Sequence, residues 1–328
     1  MEEFALIGRL RERFAQGPVR LAPGDLGIGD DAAAVTLRHP GRAVLSTDLV
    51  VEGVHVDLTV STPEDVGWKA LMVAVSDLAA MGVPADYVLL SVAAPPGFDI
   101  ERLADGAAAA AAVSGCAVVG GDLSGAPVLV VSVAAVGSTP DDGYPLLRRD
   151  GARPGDVLVV TGRLGGSSAG RRLLGAGGHL PGGGDDRGGD GGGGGGGSVA
   201  SALIGSHRRP VARLEEGTTA RRAGVTAAVD ISDGLIADSV HLAEASGVGI
   251  ELAVDATVVA PGATRDEALA GGEDYELVLA TGDPEGLDAA FAAAGLRRPI
   301  RIGSCTGRPG DLTLEGGALP PGGWRHRF

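Results

Sequence analysis

Apolar positions along the chain alternate between helical and strand spacing. Phe4, Ile7, Leu10 and Phe14 recur at helical intervals and predict an amphipathic helix over residues 1–16. An apolar run at 42–50 predicts a strand, with Asp48 close to its end. Thr62 then offers a helix cap, Pro63 suits the first helical position, and Glu64 and Asp65 favour the positive end. This helix is expected to run to about Met81 and stop at Gly82. Beyond it the pattern predicts a strand at 86–93, a helix near 100–114, and strands at 116–120 and 127–136. The turn GARPGD (151–156) leads into a strand at 156–162, followed by a strand at 225–231, a helix from about 234 to 246 and a strand at 275–280. Helices alternating with strands indicate an α/β arrangement of two or three layers.

The 328 residues are enough for two domains, expected at 1–140 and 141–328. Residues 181–197, PGGGDDRGGDGGGGGGG, hold 12 glycines in 17 positions and read as a flexible insertion. With 44% apolar but only 3% aromatic residues, the core must be built mainly from Ala, Val and Leu. A net charge of −15 argues against nucleic acid or an anionic membrane as partner. The basic pairs Arg148–Arg149 and Arg208–Arg209, the latter preceded by His207, read as solvated loops, Arg149 being reconsidered below. The N-terminus MEEFALIG is acidic where an export signal needs base, and no apolar stretch reaches membrane-spanning length. Cys116 and Cys305 have no metal-ligand spacing and read as small core residues, so the expected compartment is the cytoplasm.

The candidate chemistry lies in short acidic strings set in glycine or at the ends of apolar runs. They are GIGDDAAAV (27–35), STDLVVEGVH (46–55), SDLAAMG (76–82), GGDLS (120–124), DISDGL (230–235) and GGEDYEL (271–277). Carboxylates in such places need cations, and Lys69 is the chain's only lysine. Divalent metals with hard oxygen ligands are the natural counter-ions, and such sites usually hold a phosphorylated substrate. There is no phosphate-binding G-x-x-x-x-G-K-[ST] loop, no protein-kinase H-R-D or D-F-G string, and GIGDD fails the dinucleotide pattern G-x-G-x-x-G.

Taken in order, from GIGDDAA through GWKALMVAVSDLAAMG and GEDYEL to the terminal GWRHRF, these strings resemble the thiamine-monophosphate kinase family. Its fold is shared with aminoimidazole ribonucleotide synthetase. The resemblance implies an N-terminal α/β domain whose sheet pairs with a partner's across a homodimer, and a C-terminal α/β domain. It also implies direct, Mg²⁺-dependent transfer of the ATP γ-phosphate to thiamine monophosphate, with several ions and no phosphoenzyme.

Carried over residue by residue, the resemblance makes Asp30, Ser46, Thr47, Asp48, Asp77, Asp122, Asp230 and Asp233 metal ligands. Asp31 neighbours the first without a defined role, and Ser46 stands where the family commonly has threonine. Gly121, Asp122, Arg149 and Ser232 are expected to meet ATP, and His55, Glu273 and Trp324 the thiamine phosphate. Asp274 serves the turn structurally in this reading. From the residues alone, His55 also fits a satisfied core imidazole, Arg149 a surface arginine, and Trp324 a terminal residue closing the core. The pair at 30–31 fits an Asx turn, and one acid of DISDGL a helix cap.

No general base is expected, because a phosphate monoester is already largely dianionic near neutral pH. Rival readings are another ATP-using enzyme of this fold, of the aminoimidazole ribonucleotide, selenophosphate or hydrogenase-maturation type, and a non-catalytic nucleotide or metal sensor. The selenophosphate and maturation types use a terminal reactive Cys or selenocysteine, whereas Cys116 and Cys305 are internal.

Overall fold

The computed structural model describes residues 3–17, 19–29, 32–176, 196–320 and 322–324. Asp30, Asp31, residues 181–195 of the expected insertion and the final RHRF lie outside the described residues. The first half of the chain runs α1 (Glu3–Ala15), β1 (Ala43–Val51), α2 (Pro63–Ala80), β2 (Ala85–Ala94), α3 (Ile100–Ser114), β3 (Ala117–Gly125) and β4 (Val130–Ser138). Its four strands are ordered β1-β4-β2-β3; β2 and β3 are parallel, joined by the α3 crossover, and the other pairs are antiparallel.

Helix α2 forms for the reasons its sequence gave. The Thr62 side chain accepts the Asp65 N–H, the Asp65 carboxylate accepts the Thr62 N–H, and Pro63 opens the first turn. The helix ends at Met81, and Gly82 turns the chain away at φ +71°. Gly67 and Gly106 let α2 and α3 pack closely, since a Cβ on Gly67 would lie 1.9 Å from the Leu103 carbonyl oxygen. Both helices cover one face of the sheet, where Val50, Val88, Leu90, Val131 and Val133 are buried. The other face is open, with Leu45 71% exposed and Leu49 and Leu89 also exposed.

One strand boundary differs from expectation. The strand expected at 116–120 continues to Gly125, paired with β2, so Gly120, Gly121 and Asp122 lie within an edge strand rather than at its turn. Glycine's poor strand propensity hid this extension. Gly121 is required there by packing: it sits at φ +156°, and a Cβ would fall 1.8 Å from the Leu90 carbonyl oxygen.

The second half runs β5 (Val157–Val160), α4 (Gly166–Gly175), α5 (Gly196–Arg208), α6 (Leu214–Arg222), β6 (Ala227–Asp230), α7 (Leu235–Ser246), β7 (Gly249–Leu252), α8 (Arg265–Ala270), β8 (Leu277–Thr281), α9 (Pro284–Ala293), β9 (Ile300–Thr306), β10 (Leu312–Leu314) and β11 (Gly317–Ala318). The last two glycines of the expected insertion, Gly196 and Gly197, therefore belong to a helix. The sheet order is β11-β10-β7-β9-β5-β8-β6. Val229, Val278 and Ile302 pack beneath α7 and α8 on one face, and Ala228, Leu277 and Leu279 beneath α6 and α9 on the other. This second core also takes in Ala79 of α2, so α2 belongs to both halves.

Polar ties reinforce that junction along one side of α2. Arg209 donates to Asp65 at 2.6 Å and lies over the Trp68 ring, Lys69 pairs with Glu273, and Ser76 donates to Asp230. The 207–209 run, expected as a solvated loop, is thus a structural contact: His207 is buried, and Arg209 pairs with Asp65, itself buried.

Candidate active site

Strand alternation sorts the side chains of β1 between the two faces of its sheet. Ser46 and Asp48 point toward α2, whereas Thr47 points to the open face beside Leu45 and Leu49. From α2, Asp77 meets this inner pair, with the Ser46 hydroxyl donating to its carboxylate. Asp230, at the end of β6, approaches from the second half and accepts the Ser76 hydroxyl at 2.7 Å. Burial is the main cause raising the Asp48 carboxyl to about 6, followed by the charge of Asp77. Asp230 is likewise raised to about 6, by burial and then by Asp77, with Ser76 and Arg149 partly opposing. Three acids from two halves of the chain thus converge, and burial disfavours the ionised forms of Asp48 and Asp230.

Two hollows flank this cluster. One, of about 450 Å³, is lined by Ser46, Asp77, Arg148, Arg149 and Asp150, and Arg149 favours the ionised form of Asp230. The other, of about 270 Å³, is lined by Asp48, His55, Ser232, Asp233, Glu273 and Trp324 among others. His55 Nδ1 accepts the Val51 N–H at 3.1 Å, which puts the proton of a neutral ring on Nε2. Trp324 is 47% exposed and lines this hollow rather than closing the core, and its backbone N–H donates to the Asp233 carbonyl at 3.0 Å.

Glu273 has a left-handed backbone, φ +66°, as does Tyr275 at φ +50°. Neither is glycine, and such conformations cost of order 1–3 kcal/mol unless the surroundings impose them. Here the Glu273 N–H donates to the Ser232 carbonyl at 2.8 Å and the Tyr275 N–H to the Ile231 carbonyl at 2.9 Å. Asp274 points the other way and accepts the Gly165 and Ser167 N–H groups, so its structural role is at the start of α4 rather than in its own turn as expected. Asp238 accepts the Asp233 and Gly234 N–H groups and is raised to about 7, by burial first and then by Asp230 and Asp233. Asp233, Asp238 and His241 also stand close enough to share an ion.

Asp122 does not join the cluster within one chain. It pairs in register with Ser91, Ser132 and Leu49 and so shares their open face, while Asp48 shares the covered face with Val133 and Leu90. Three strand spacings of roughly 4.8 Å also separate β3 from β1.

Sequence reasoning missed Lys69, Ser76 and His207 as neighbours of the site. The available signal was a lone lysine on an apolar helix, four residues after Asp65 and seven before Ser76, which places all three near one side. The helices α4, α5, α6, α8 and α9 and the strands β7, β9, β10 and β11 were also missed.

The AIR synthase related protein models match this chain over residues 29–139 for the N-terminal domain and 153–314 for the C-terminal domain. Thiamine-monophosphate kinase of Mycobacterium tuberculosis (strain ATCC 25618 / H37Rv) is 36% identical over 322 residues, spanning 96% of this chain and 88% of that one. The chain belongs to the thiamine-monophosphate kinase family. The crystal structure of the Stenotrophomonas maltophilia K279a kinase shares 32% identity, covering 97% of this chain and 98% of that one, with a TM-score of 0.80. A second family structure, AaThiL complexed with AMPPCP and TMP, shares 31% identity over 99% of this chain and 97% of that one, with a TM-score of 0.72.

Proposed function

We propose that this chain transfers the γ-phosphate of ATP to thiamine monophosphate, giving thiamine diphosphate and ADP. The observation that carries this reading is the Asp48–Asp77–Asp230 cluster between an arginine-lined hollow and one lined by an acid and an exposed tryptophan. Family membership supports the reaction itself.

The donor set fits Mg²⁺: hard carboxylate oxygens and the Ser46 hydroxyl, with burial and neighbouring acids disfavouring the ionised forms of Asp48 and Asp230. Asp48, Asp77, Asp230 and Ser46 would hold ions at the centre, and Asp233 one nearer the acceptor hollow. Bound there, Mg²⁺ supplies the positive charge that lets two anionic phosphates approach. Arg149 and Ser232 orient the donor phosphates. His55 and Glu273 position the acceptor, and the Trp324 ring suits a flat cationic thiazolium. No residue removes a proton from the acceptor, because its attacking phosphate oxygen is already ionised.

The open sheet face with Leu45, Leu49 and Leu89 supports a homodimer in which a second copy covers it. Thr47 and Asp122 share that face, so the dimer is also the route by which their expected contributions reach metal and nucleotide, with Gly121 beside Asp122. Asp30, outside the described residues, keeps its expected place as a ligand. The division at 1–140 and 141–328 is supported by two main cores, each drawn almost wholly from one half, and by the two family models on either side. Among the described residues no helix is long and apolar enough to cross a membrane, and ATP consumption favours the cytoplasm.

Burial pushes both cysteine thiols up to about 12, which argues against the rival activities that need a reactive thiol. The deciding experiment incubates purified protein with ATP and Mg²⁺ and either thiamine monophosphate, free thiamine or aminoimidazole precursors, with products identified by mass. Thiamine diphosphate and ADP should form in equal amounts from thiamine monophosphate alone. Equal turnover of free thiamine, which lacks the attacking phosphate, would sink the assignment.

A further inference from the structure

We propose that Lys69 is a positioning residue that locks the His55 turn and the Glu273 carboxylate into one acceptor-binding wall. The proposal rests on the acceptor reading of the hollow given above.

Lys69 is 2% exposed, on a helix whose neighbouring positions are apolar. Burying an ammonium is costly, and an apolar side chain at such a position usually serves stability as well or better. Its retention therefore calls for a task that needs the charge. Its Nζ lies 2.6 Å from Glu273 Oε1 and donates to the His55 carbonyl at 3.0 Å. These partners come from opposite halves of the chain, and both line the same hollow, as Lys69 does. One ammonium thus fixes the separation of two residues expected to grip the acceptor.

The other carboxylate oxygen of Glu273 lies 3.5 Å from His207 Nδ1, which is itself 3.1 Å from the Ser167 hydroxyl. Burial, and then the charge of Lys69, hold the His207 imidazolium down to about 4, so the ring is neutral near pH 7. Among the described residues, Lys69 is accordingly the full positive charge paired with this carboxylate. An ionised carboxylate offers roughly four lone-pair sites, so one engaged by Lys69 and His207 keeps others for a ligand. With its backbone also held left-handed against Ser232, Glu273 is fixed in place before the acceptor arrives, the condition under which binding wastes least entropy.

Steady-state kinetics of the full chain test this, with Lys69→Met, Glu273→Gln and the double variant compared at saturating ATP and Mg²⁺. Lys69→Met should raise KM for thiamine monophosphate at least about 10-fold while KM for ATP stays within roughly twofold, as expected when uniform acceptor binding is lost. Because Lys69 acts largely through Glu273, the double variant should be no worse than Glu273→Gln alone, within about twofold. An unchanged acceptor KM in Lys69→Met, or a double variant equal to the product of the singles, would overturn the proposal. If Lys69→Met is too unstable to assay, the double variant, which strands no charge, decides by the same comparison. Wild-type turnover in the same series keeps the two readings apart. Its absence overturns the proposed reaction, whereas normal turnover with unmoved KM values overturns only the role of Lys69.

Discussion

Among the described residues, Asp48, Asp77 and Asp230 face one another with little beyond serine hydroxyls and the charge of Arg149 to offset theirs, whereas Glu273, across the same junction, is met by a buried ammonium at 2.6 Å. The contrast separates two ways of building a polar site. On the first side the compensating charge must arrive with the ligands, so the empty arrangement is electrostatically unfavourable and binding relieves it. On the second side compensation is built in, so the empty arrangement is stable and its geometry is set beforehand. Neutralising an acid should therefore have opposite effects on stability in the two places.

The largest effect belongs to the first side. Asp77→Asn keeps size and removes charge, and kcat should fall at least about 10²-fold, in line with loss of an electrostatic term in the transition state. Melting temperature without Mg²⁺ should hold or rise, and the Mg²⁺-dependent stabilisation by nucleotide should shrink. Asp122→Asn should lower kcat similarly, through the dimer, because this side chain is exposed in the single chain and lies three strands from β1. Near wild-type kcat in both variants at limiting Mg²⁺ would mean that these acids are structural.

On the second side, Glu273→Gln strands the Lys69 ammonium. Breaking a buried pair costs about 3–5 kcal/mol. Glu273 itself is 25% exposed, so a discounted loss of about 2 kcal/mol is expected, seen as a melting temperature lower by several degrees. Paired melts of Asp77→Asn and Glu273→Gln without metal read the comparison directly. Shifts of the same sign would erase the distinction between the two sides.

Acidity should sharpen it further. Asp48 and Asp230 are raised from 3.8 to about 6 in the folded chain, so between those values the folded state binds more protons than the unfolded. Their contribution to stability is fully present below about pH 3.8 and is lost as pH rises through about 6. Asp274, raised to about 7 chiefly by burial, carries the same trend higher, while Asp142, lowered to about 2 first by its bond from Arg221, acts in the opposite sense at lower pH. With EDTA the melting temperature should fall from pH 5 to 7.5, and Mg²⁺, which binds the ionised acids, should flatten that fall. Equal slopes with and without Mg²⁺ would show that the cluster does not take the metal.

These two sides were not equally legible in the sequence. Asp48, Asp77 and Asp230 stand out because aspartate at the end of an apolar run is conspicuous, and helix α2 is marked by its cap, its proline and its terminal glycine. The pairing of Lys69 with Glu273 is not visible, because it joins positions 204 apart through the packing of α2 against the second half. The face on which Asp122 lies was hidden for a different reason. It depends on how far β3 runs beyond two glycines and on an irregularity near Leu89, and one residue of register moves every later side chain to the other face. Helices α4 and α5 were missed because their glycines and serines read as loop, and much of their partner surface is each other.

The smallest effect concerns the segment joining those two helices. α4 contributes Ser168 and Arg171 to the acceptor hollow, and α5 contributes His207 to Glu273, so the preset side depends on this helix pair keeping its arrangement. That arrangement is fixed locally: a Cβ on Gly170 would fall 2.0 Å from the Leu203 carbonyl oxygen, and Ser167 meets His207 at 3.1 Å. The glycine run between them offers almost no side chain to bury, and loop closure changes by only about 0.6 kcal/mol per doubling of length. Replacing residues 181–195 with a short linker, while sparing Gly196 and Gly197 of α5, should therefore leave kcat and both KM values within about twofold of wild type. A much larger rise in acceptor KM, in a variant that melts normally, would mean that the acceptor wall owes its geometry to the glycine segment as well as to Lys69 and the packing of α4 on α5.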